Sequence, residues 1–106
     1  MKLADLTKVW YCNEEEPPDE DTVMIKRRGD LTEVGKVLEI KNKSDAKLKD
    51  FICIKPLDKN RLLPKYLYYA MQYMHMRGYY HKVATQYGSK YKITTSDVKK
   101  IEVQKW

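Results

Sequence analysis

The sequence is short of the features that mark several classes of protein. Its 106 residues include two cysteines, four glycines and one phenylalanine. No apolar run approaches the roughly 18 residues that cross a bilayer, and the mixed charge of the first ten residues is unlike a signal peptide. A chain this short holds one domain. Composition therefore predicts a single soluble domain over residues 1–106, in a cytoplasmic setting.

Cysteine and histidine spacing argues against a zinc site. Cys12 and Cys53 are far apart, and no cysteine lies near His75 or His81. A disulfide would be unusual in a reducing compartment, so we expect both cysteines to be buried as small apolar residues. Glycine-rich phosphate loops, a G-x-S-x-G motif and methyltransferase motifs are also missing. The sequence thus predicts neither a cofactor nor an enzyme.

Charge is distributed unevenly along the chain. There are 21 basic and 15 acidic side chains, a net charge of +6, which suits a polyanionic partner. Residues 1–35 carry −4, however, and residues 36–106 carry +10. Residues 14–21 contain six carboxylates and two prolines, which predicts an exposed loop. This acidic loop is a candidate phosphate mimic, although acidic runs are more often simply solvated.

Hydrophobic patterning predicts an α+β fold with a mixed, twisted β-sheet. We expect a helical turn and a strand over residues 4–12, a strand over 22–26 that ends in a turn at 27–30, and a bulged strand over 34–40. The apolar run at 51–54 predicts a core strand stopped by Lys55-Pro56. Thr95 or Ser96 is expected to cap a helical turn up to Lys100, before a closing strand at 101–103.

One main helix is predicted over residues 64–77. Pro64 lies in its first turn, where a missing amide donor costs nothing, and Gly78 ends it. Residues spaced at i, i+3, i+4 and i+7 form an apolar stripe that we expect to pack on the sheet: Leu67, Ala70, Met71 and Met74. An adjacent stripe of half-polar rings suits an interface: Tyr66, Tyr69 and Tyr73.

Tyrosine is concentrated in the basic part of the chain. Eight of the nine tyrosines fall between residues 66 and 91, interleaved with lysine and arginine. Lysine neutralises phosphates, and a tyrosine ring stacks on a base while its hydroxyl stays hydrated. A nucleic acid is therefore the predicted partner. Roughly half of these tyrosines are expected to bury their rings instead.

Several motifs resemble one protein family. The stretches FICIKP (51–56), LLPKYLYYAM (62–71) and KITTSDVKKIEV (92–103), with a Gly88-Ser89 turn before the last, are similar to the C-terminal half of a target recognition domain. Such domains belong to the DNA specificity (S) subunits of type I restriction-modification systems. KLADL (2–6) and RGDL (28–31) match the family more loosely. The resemblance implies a non-catalytic module that reads a short duplex sequence while separate subunits methylate or cleave.

The resemblance also implies a DNA-facing surface. It places the Gly88-Ser89 turn against DNA, with Gln86 suited to distinguish adenine and the lysines on phosphates. The helix start at residues 63–67 is expected to be scaffold. The full set of candidate DNA-binding residues is Arg27, Arg28, Lys41, Lys43, Lys82, Gln86, Tyr87, Gly88, Ser89, Lys90, Tyr91 and Lys92.

The family's subunits hold two such domains joined by long helices. We therefore expect this chain to act as a free-standing domain in a prokaryotic cell, with a phage or mobile element as a candidate source. A homodimer that restores a two-part site, a partnership with restriction-modification subunits, and antagonism of such a system all stay open.

Two other function classes also stay open. Pro18-Asp19 followed by Glu39-Ile40-Lys41 fits the loose pattern of Mg²⁺-dependent nucleases, in which carboxylates hold the metal and lysine stabilises the transition state. So short a pattern also arises by chance. The other class is a protein-interaction module that docks a partner on the tyrosine and methionine face of the helix. Salt separates it from a DNA-binding module, because phosphate binding weakens steeply with salt.

Overall fold

The computed structural model describes residues 1–38 and 47–103. This part of the chain contains both helices and antiparallel strands, which confirms the α+β fold and its one main helix. In chain order the elements are a 3₁₀ turn (Leu3–Asp5), β1 (Thr7–Tyr11), β2 (Val23–Lys26), β3 (Arg28–Gly29), a 3₁₀ turn (Leu48–Asp50), β4 (Phe51–Pro56), α1 (Pro64–Met76), α2 (Tyr79–Val83), β5 (Thr85–Tyr87), β6 (Lys90–Lys92) and α3 (Thr95–Lys99).

The strands form two three-stranded sheets. The first has the order β1-β4-β2 and the second β3-β6-β5, and each described pair is antiparallel. The predicted core strand is central in the first sheet, where Ile54 pairs with Val9 on one side and Val23 on the other. It runs on to Pro56, which pairs with Thr7 at the strand end. A proline is tolerated there because the next ladder bond comes from Leu57, whose amide donates to Leu6 O at 3.0 Å.

Two local predictions differ from the structure. Arg28-Gly29 is a short strand instead of a turn, because it pairs with Lys92 and Tyr91 of β6. Residues 31–35 form turns, and Val37 makes only a single bridge to Ile25, so the start of the strand predicted over 34–40 is wrong. The rest of that prediction, from residue 39, lies outside the described residues.

The C-terminal elements also differ in detail. The cap of α3 is Thr94, whose hydroxyl accepts a hydrogen bond from the Asp97 amide while the Asp97 carboxylate accepts from Thr94 N. This reciprocal capping box starts the helix one residue earlier than predicted. The closing strand at 101–103 is reduced to one antiparallel bridge between Glu102 and Lys2.

The main core lies between the first sheet and the helices. Leu67 and Met71 of α1 are fully buried, as the apolar stripe predicts, and they pack in one cluster with Ile25, Ile52 and Ile54. Tyr80 joins this cluster with its hydroxyl buried and without a hydrogen-bond partner among the described residues. Burial raises the pKa of this phenol above its ordinary value.

A smaller apolar cluster covers the opposite face of the same sheet. Cys12, Met24 and Cys53 are buried there, with Trp10 and Phe51 packed against them. Burial of both cysteines is as expected, but the expectation of free thiols is wrong, because Cys12 and Cys53 form a disulfide. In residues 1–38 and 47–103, none of the helices has the length and apolarity that crossing a bilayer requires.

Candidate nucleic-acid interface

The second sheet carries most of the candidate DNA-binding residues. β5 and β6 form a hairpin around Gly88-Ser89, as predicted, with Tyr87 paired to Lys90. Gly88 has φ +58° and is the first of two turn residues, the position where a type II′ hairpin turn favours glycine. A Cβ at Gly88 would meet nothing within 4 Å, so the turn projects freely from the protein.

Strand alternation divides the hairpin side chains between two faces. Directly paired residues of antiparallel strands share a face, and successive residues alternate. Gln86 and Tyr91 are paired on the inner side, where half-buried Tyr91 packs against the main core. The outer side, which we call the hairpin face, consists of Arg28, Thr85, Tyr87, Lys90 and Lys92.

The cations of the hairpin face have different partners. Arg28 is anchored, because its Nε and Nη2 donate to Asp50 Oδ1 at 2.8 and 2.7 Å. Lys90 Nζ lies 3.2 Å from Asp30 Oδ1, in a pair that is exposed at both ends. Lys92 Nζ lies 5.5 Å from the centre of the Tyr87 ring and forms no ion pair with a described residue. Lys92 is therefore the most available cation, and Lys90 is held only weakly, since exposed ion pairs contribute about 0–1 kcal/mol.

Gln86 is bound to its own turn. Its side-chain nitrogen donates to Gly88 O at 3.2 Å, and it lies on the side opposite Lys90 and Lys92. Contact with a base would have to replace this hydrogen bond. The role of Gln86 in reading adenine stays a prediction.

The remaining candidates lie away from the hairpin face. Arg27 donates from Nε to Lys49 O at 2.7 Å, and its guanidinium lies 5.1 Å from the centre of the Tyr11 ring. Lys82 is exposed on α2, three residues before β5. Lys41 and Lys43 lie outside the described residues.

The acidic loop is exposed, as predicted, but it is tied to the first sheet. Glu16 pairs with Lys8 and Asp19 with Lys55, while Asp21 Oδ2 lies 2.9 Å from Lys59 Nζ. We call Lys8, Lys55 and Lys59 the lysine patch. The net charges of the two chain segments did not reveal this patch. The sequence did hold one signal, because Lys8 alternates with buried Thr7 and Val9 and therefore faces away from the main core.

The Asp19–Lys55 pair predicts a measurable pH dependence. The hydrogen bond from Lys55 is the main cause that lowers the pKa of Asp19 from 3.8 to about 2. Because the folded-state value lies below the ordinary one, the pair stabilises the protein above about pH 4 and is lost as the pH falls towards 2. We expect an NMR titration of the Asp19 carboxyl to show a midpoint near 2, and Lys55→Ala to move it towards 3.8. An ordinary midpoint in the wild-type protein would contradict the pairing.

The described residues provide no metal site for the nuclease pattern. No group of three His, Cys, Asp or Glu side chains in residues 1–38 and 47–103 is placed to hold a metal ion. Asp19 is paired with Lys55, whereas Glu39, Ile40 and Lys41 lie outside the described residues.

The tyrosine stripe of α1 borders a groove. Tyr66, Tyr69 and Tyr73 are 58%, 53% and 56% exposed, as the pattern predicts. They line a groove of about 590 Å³ whose other wall includes Ile101 and Val103. The groove is mainly aromatic and aliphatic, with Arg77 stacked 5.4 Å from the centre of the Tyr73 ring.

Comparison with solved structures places this arrangement among known folds. The crystal structure of a type I restriction-modification system S subunit from M. genitalium matches 95% of this chain with a TM-score of 0.63 and 16% sequence identity. This chain shares its fold with that S subunit. It spans about a third of the S subunit's length, 32%. The resemblance expected from the sequence motifs is confirmed at the level of the fold. No protein-family model and no curated protein matches the chain.

Proposed function

We propose that this chain is a non-catalytic DNA-binding module that contacts a duplex through its hairpin face. The observation that carries the proposal is the hairpin itself, which sets Tyr87, Lys90 and Lys92 on one side of a freely projecting turn. A two-stranded ribbon fits the major groove of B-DNA, where each base pair shows a distinct pattern of donors and acceptors. The fold shared with a type I S subunit supports the same function.

The proposal gives the side chains separate roles. Lys90, Lys92 and Lys82 neutralise phosphates and orient the module, whereas Tyr87 contacts base edges from the hairpin face. Gln86, on the opposite side of the ribbon, contacts a base beside the turn by exchanging its hydrogen bond to Gly88 O for one to the base. Arg28 is held by Asp50, so it positions β3 against β6 and contributes less to binding. Candidate protein partners are restriction-modification subunits and a second copy of this chain. The mass in solution, with and without a duplex, tests for the second copy.

We expect Lys90→Ala and Lys92→Ala each to weaken binding to every duplex. Each change removes one phosphate contact, which lowers the slope of log affinity against log salt by about 0.9. Fluorescence anisotropy of a labelled random-sequence duplex, measured across a salt series, checks both effects. Lys65→Ala, an exposed lysine in the first turn of α1, is the matched control and should bind like the wild type.

Gln86→Ala and Tyr87→Ala are the companion variants for base contacts. Selection of bound sequences from a random duplex pool should show an altered preference with little change in the salt slope. If all four substitutions left affinity unchanged at low salt, the hairpin face would not be the DNA surface. Plasmid DNA incubated with the protein and Mg²⁺ should stay intact, and cleavage would favour the nuclease alternative.

The tyrosine groove supports a second candidate function, a protein-interaction module. Three exposed rings along one helix form a surface that is half apolar and half hydrogen-bonding, as in many protein interfaces. A partner bound there would depend weakly on salt and would be lost with Tyr69→Ala. DNA binding by the hairpin face would survive that change.

A further inference from the structure

The lysine patch brings like charges together on one face of the first sheet. Lys8 of β1 and Lys55 of β4 are direct partners in the antiparallel register, so both side chains leave the same face of the sheet. Their Cβ atoms are then about 5 Å apart, and like charges at such positions destabilise a sheet. Lys59 follows shortly after β4 and extends the patch.

The acidic loop supplies one carboxylate for each of these lysines. Glu16, Asp19 and Asp21 form the three ion pairs, while Glu14, Glu15 and Glu20 form none with a described residue. The loop backbone also takes part, because Trp10 Nε1 donates to Glu16 O at 3.0 Å. Half of the loop carboxylates are therefore used to cover one basic surface.

The covered surface has the same chemistry as the hairpin face. Lys8 Nζ lies 5.1 Å from the centre of the Trp10 ring, as Lys92 lies beside Tyr87. A cavity of about 370 Å³ lies between Trp10, Lys55 and the loop. Lysines beside an aromatic ring suit a nucleic acid, since the lysines bind phosphate and the ring stacks on a base or sugar. Carboxylates of the loop pair with all three lysines of this surface.

We propose that the acidic loop competes with phosphate for a second DNA-contacting patch, made of Lys8, Lys55 and Lys59. The inference rests on the proposed function and adds its regulation. The patch is distinct from the hairpin face, because Lys55 lies near the far end of β4 while Arg28 contacts Asp50 just before its start. From Phe51 at the start of β4 to Lys55 the strand advances by four residues, which correspond to about 13 Å. Breaking the three exposed ion pairs costs a duplex about as much as its own phosphate contacts with the lysines return, so the loop keeps the patch from adding to the affinity of the wild type.

Two triple variants of the loop test the competition. Glu16→Gln/Asp19→Asn/Asp21→Asn removes the three paired carboxylates, and Glu14→Gln/Glu15→Gln/Glu20→Gln removes the three unpaired ones. Both change the net charge equally and within the same loop. We expect the first variant to bind a random duplex about tenfold more tightly at low salt, with a salt slope steeper by about 2 to 3. The second should bind within about twofold of the wild type.

Lysine substitutions complete the test. Adding Lys8→Ala/Lys55→Ala/Lys59→Ala to the first variant should return its affinity to the wild-type level. The same three substitutions in the wild type should change affinity by less than about twofold, because the loop already occupies those lysines. Equal gains in the two loop variants would overturn the inference in favour of a general charge effect. A large loss from the lysine substitutions in the wild type would also overturn it.

The hairpin variants separate this inference from the proposed function. If Lys90→Ala and Lys92→Ala weaken binding but the first loop variant binds like the wild type, only the competition is wrong. If the hairpin variants bind normally and the first loop variant still gains affinity, the hairpin face is wrong and the lysine patch is the DNA surface. Absence of DNA binding in every variant would overturn both.

Discussion

Replacing Gly35 with alanine is expected to lower the free energy of unfolding by about 3 to 5 kcal/mol, through overpacking and backbone strain together. A Cβ at this position would lie 2.0 Å from Cδ2 and 2.3 Å from Cε2 of the buried Tyr80 ring. The backbone also has φ +84°, a conformation that alanine adopts at a cost. The segment has little room to move away, because Gly35 N donates to Lys26 O at 2.7 Å and Val37 bridges Ile25.

Chemical denaturation followed by circular dichroism measures this loss. Gly88→Ala is the matched control, because Gly88 also has positive φ, +58°, but has nothing within 4 Å of the new methyl group. We expect the control to cost about 1–2 kcal/mol, the strain of a left-handed residue alone. The difference between the two variants isolates the contact with Tyr80. Equal losses would show that the ring does not pack on Gly35.

The elements that sequence patterns predicted well are those with local signals. Pro64 and Gly78 bracket α1 because one suits the first helical turn and the other, at φ +78°, leaves the helix with a left-handed residue. The Gly88-Ser89 hairpin follows from the glycine that its turn requires. The apolar run at 51–54 is buried on both faces, so its neighbours in sequence were enough to identify it.

The elements that patterns missed depend on distant partners. β3 is only two residues long, and it is a strand because β6, about sixty residues later in the chain, supplies its ladder. Val34 and Gly35 resemble a strand in sequence, yet the Tyr80 ring packs where a side chain at Gly35 would lie. Periodicity carries no information on either contact, since it reports only residues within one element.

The candidate site also has features that could be predicted from the sequence and features that could not. The hairpin and its lysines could be predicted because strand alternation sets their common face. Their carboxylate partners could not, since Asp30 reaches Lys90 only through the pairing of β3 with β6, and Asp50 reaches Arg28 only where the two sheets meet. The lysine patch likewise depends on the β1–β4 register, which places Lys8 opposite Lys55.

The register also explains why the cysteines are bonded. Trp10 is the partner of Cys53, and Cys12 lies two residues beyond Trp10 on the same face of the sheet. Cys12 N donates to Phe51 O at 3.1 Å, which keeps the end of β1 against β4. The two Cα atoms are then 5.4 Å apart, within the range that a disulfide spans. The burial of the two cysteines could be predicted from residue type, whereas their proximity could be known only from the strand register.

Loss of the disulfide is expected to lower the free energy of unfolding by about 4 kcal/mol. The bond joins residues 41 positions apart, and opening so long a loop restores much chain entropy to the unfolded state. Denaturant unfolding with and without a thiol reductant measures the change. Cys12→Ala/Cys53→Ala should unfold at one midpoint whether or not the reductant is present, which controls for effects of the reductant itself.

Reduction of the disulfide also separates its effect on stability from its effect on DNA binding. The bond is buried in the small cluster of the first sheet and neither cysteine belongs to the hairpin face, so reduction should leave DNA affinity unchanged under conditions where the protein stays folded. Thiol titration of the unfolded, unreduced protein should find no free cysteine. Two free thiols there would show that burial alone holds Cys12 against Cys53. Equal unfolding midpoints for the oxidised and reduced forms would show that the bond adds no stability.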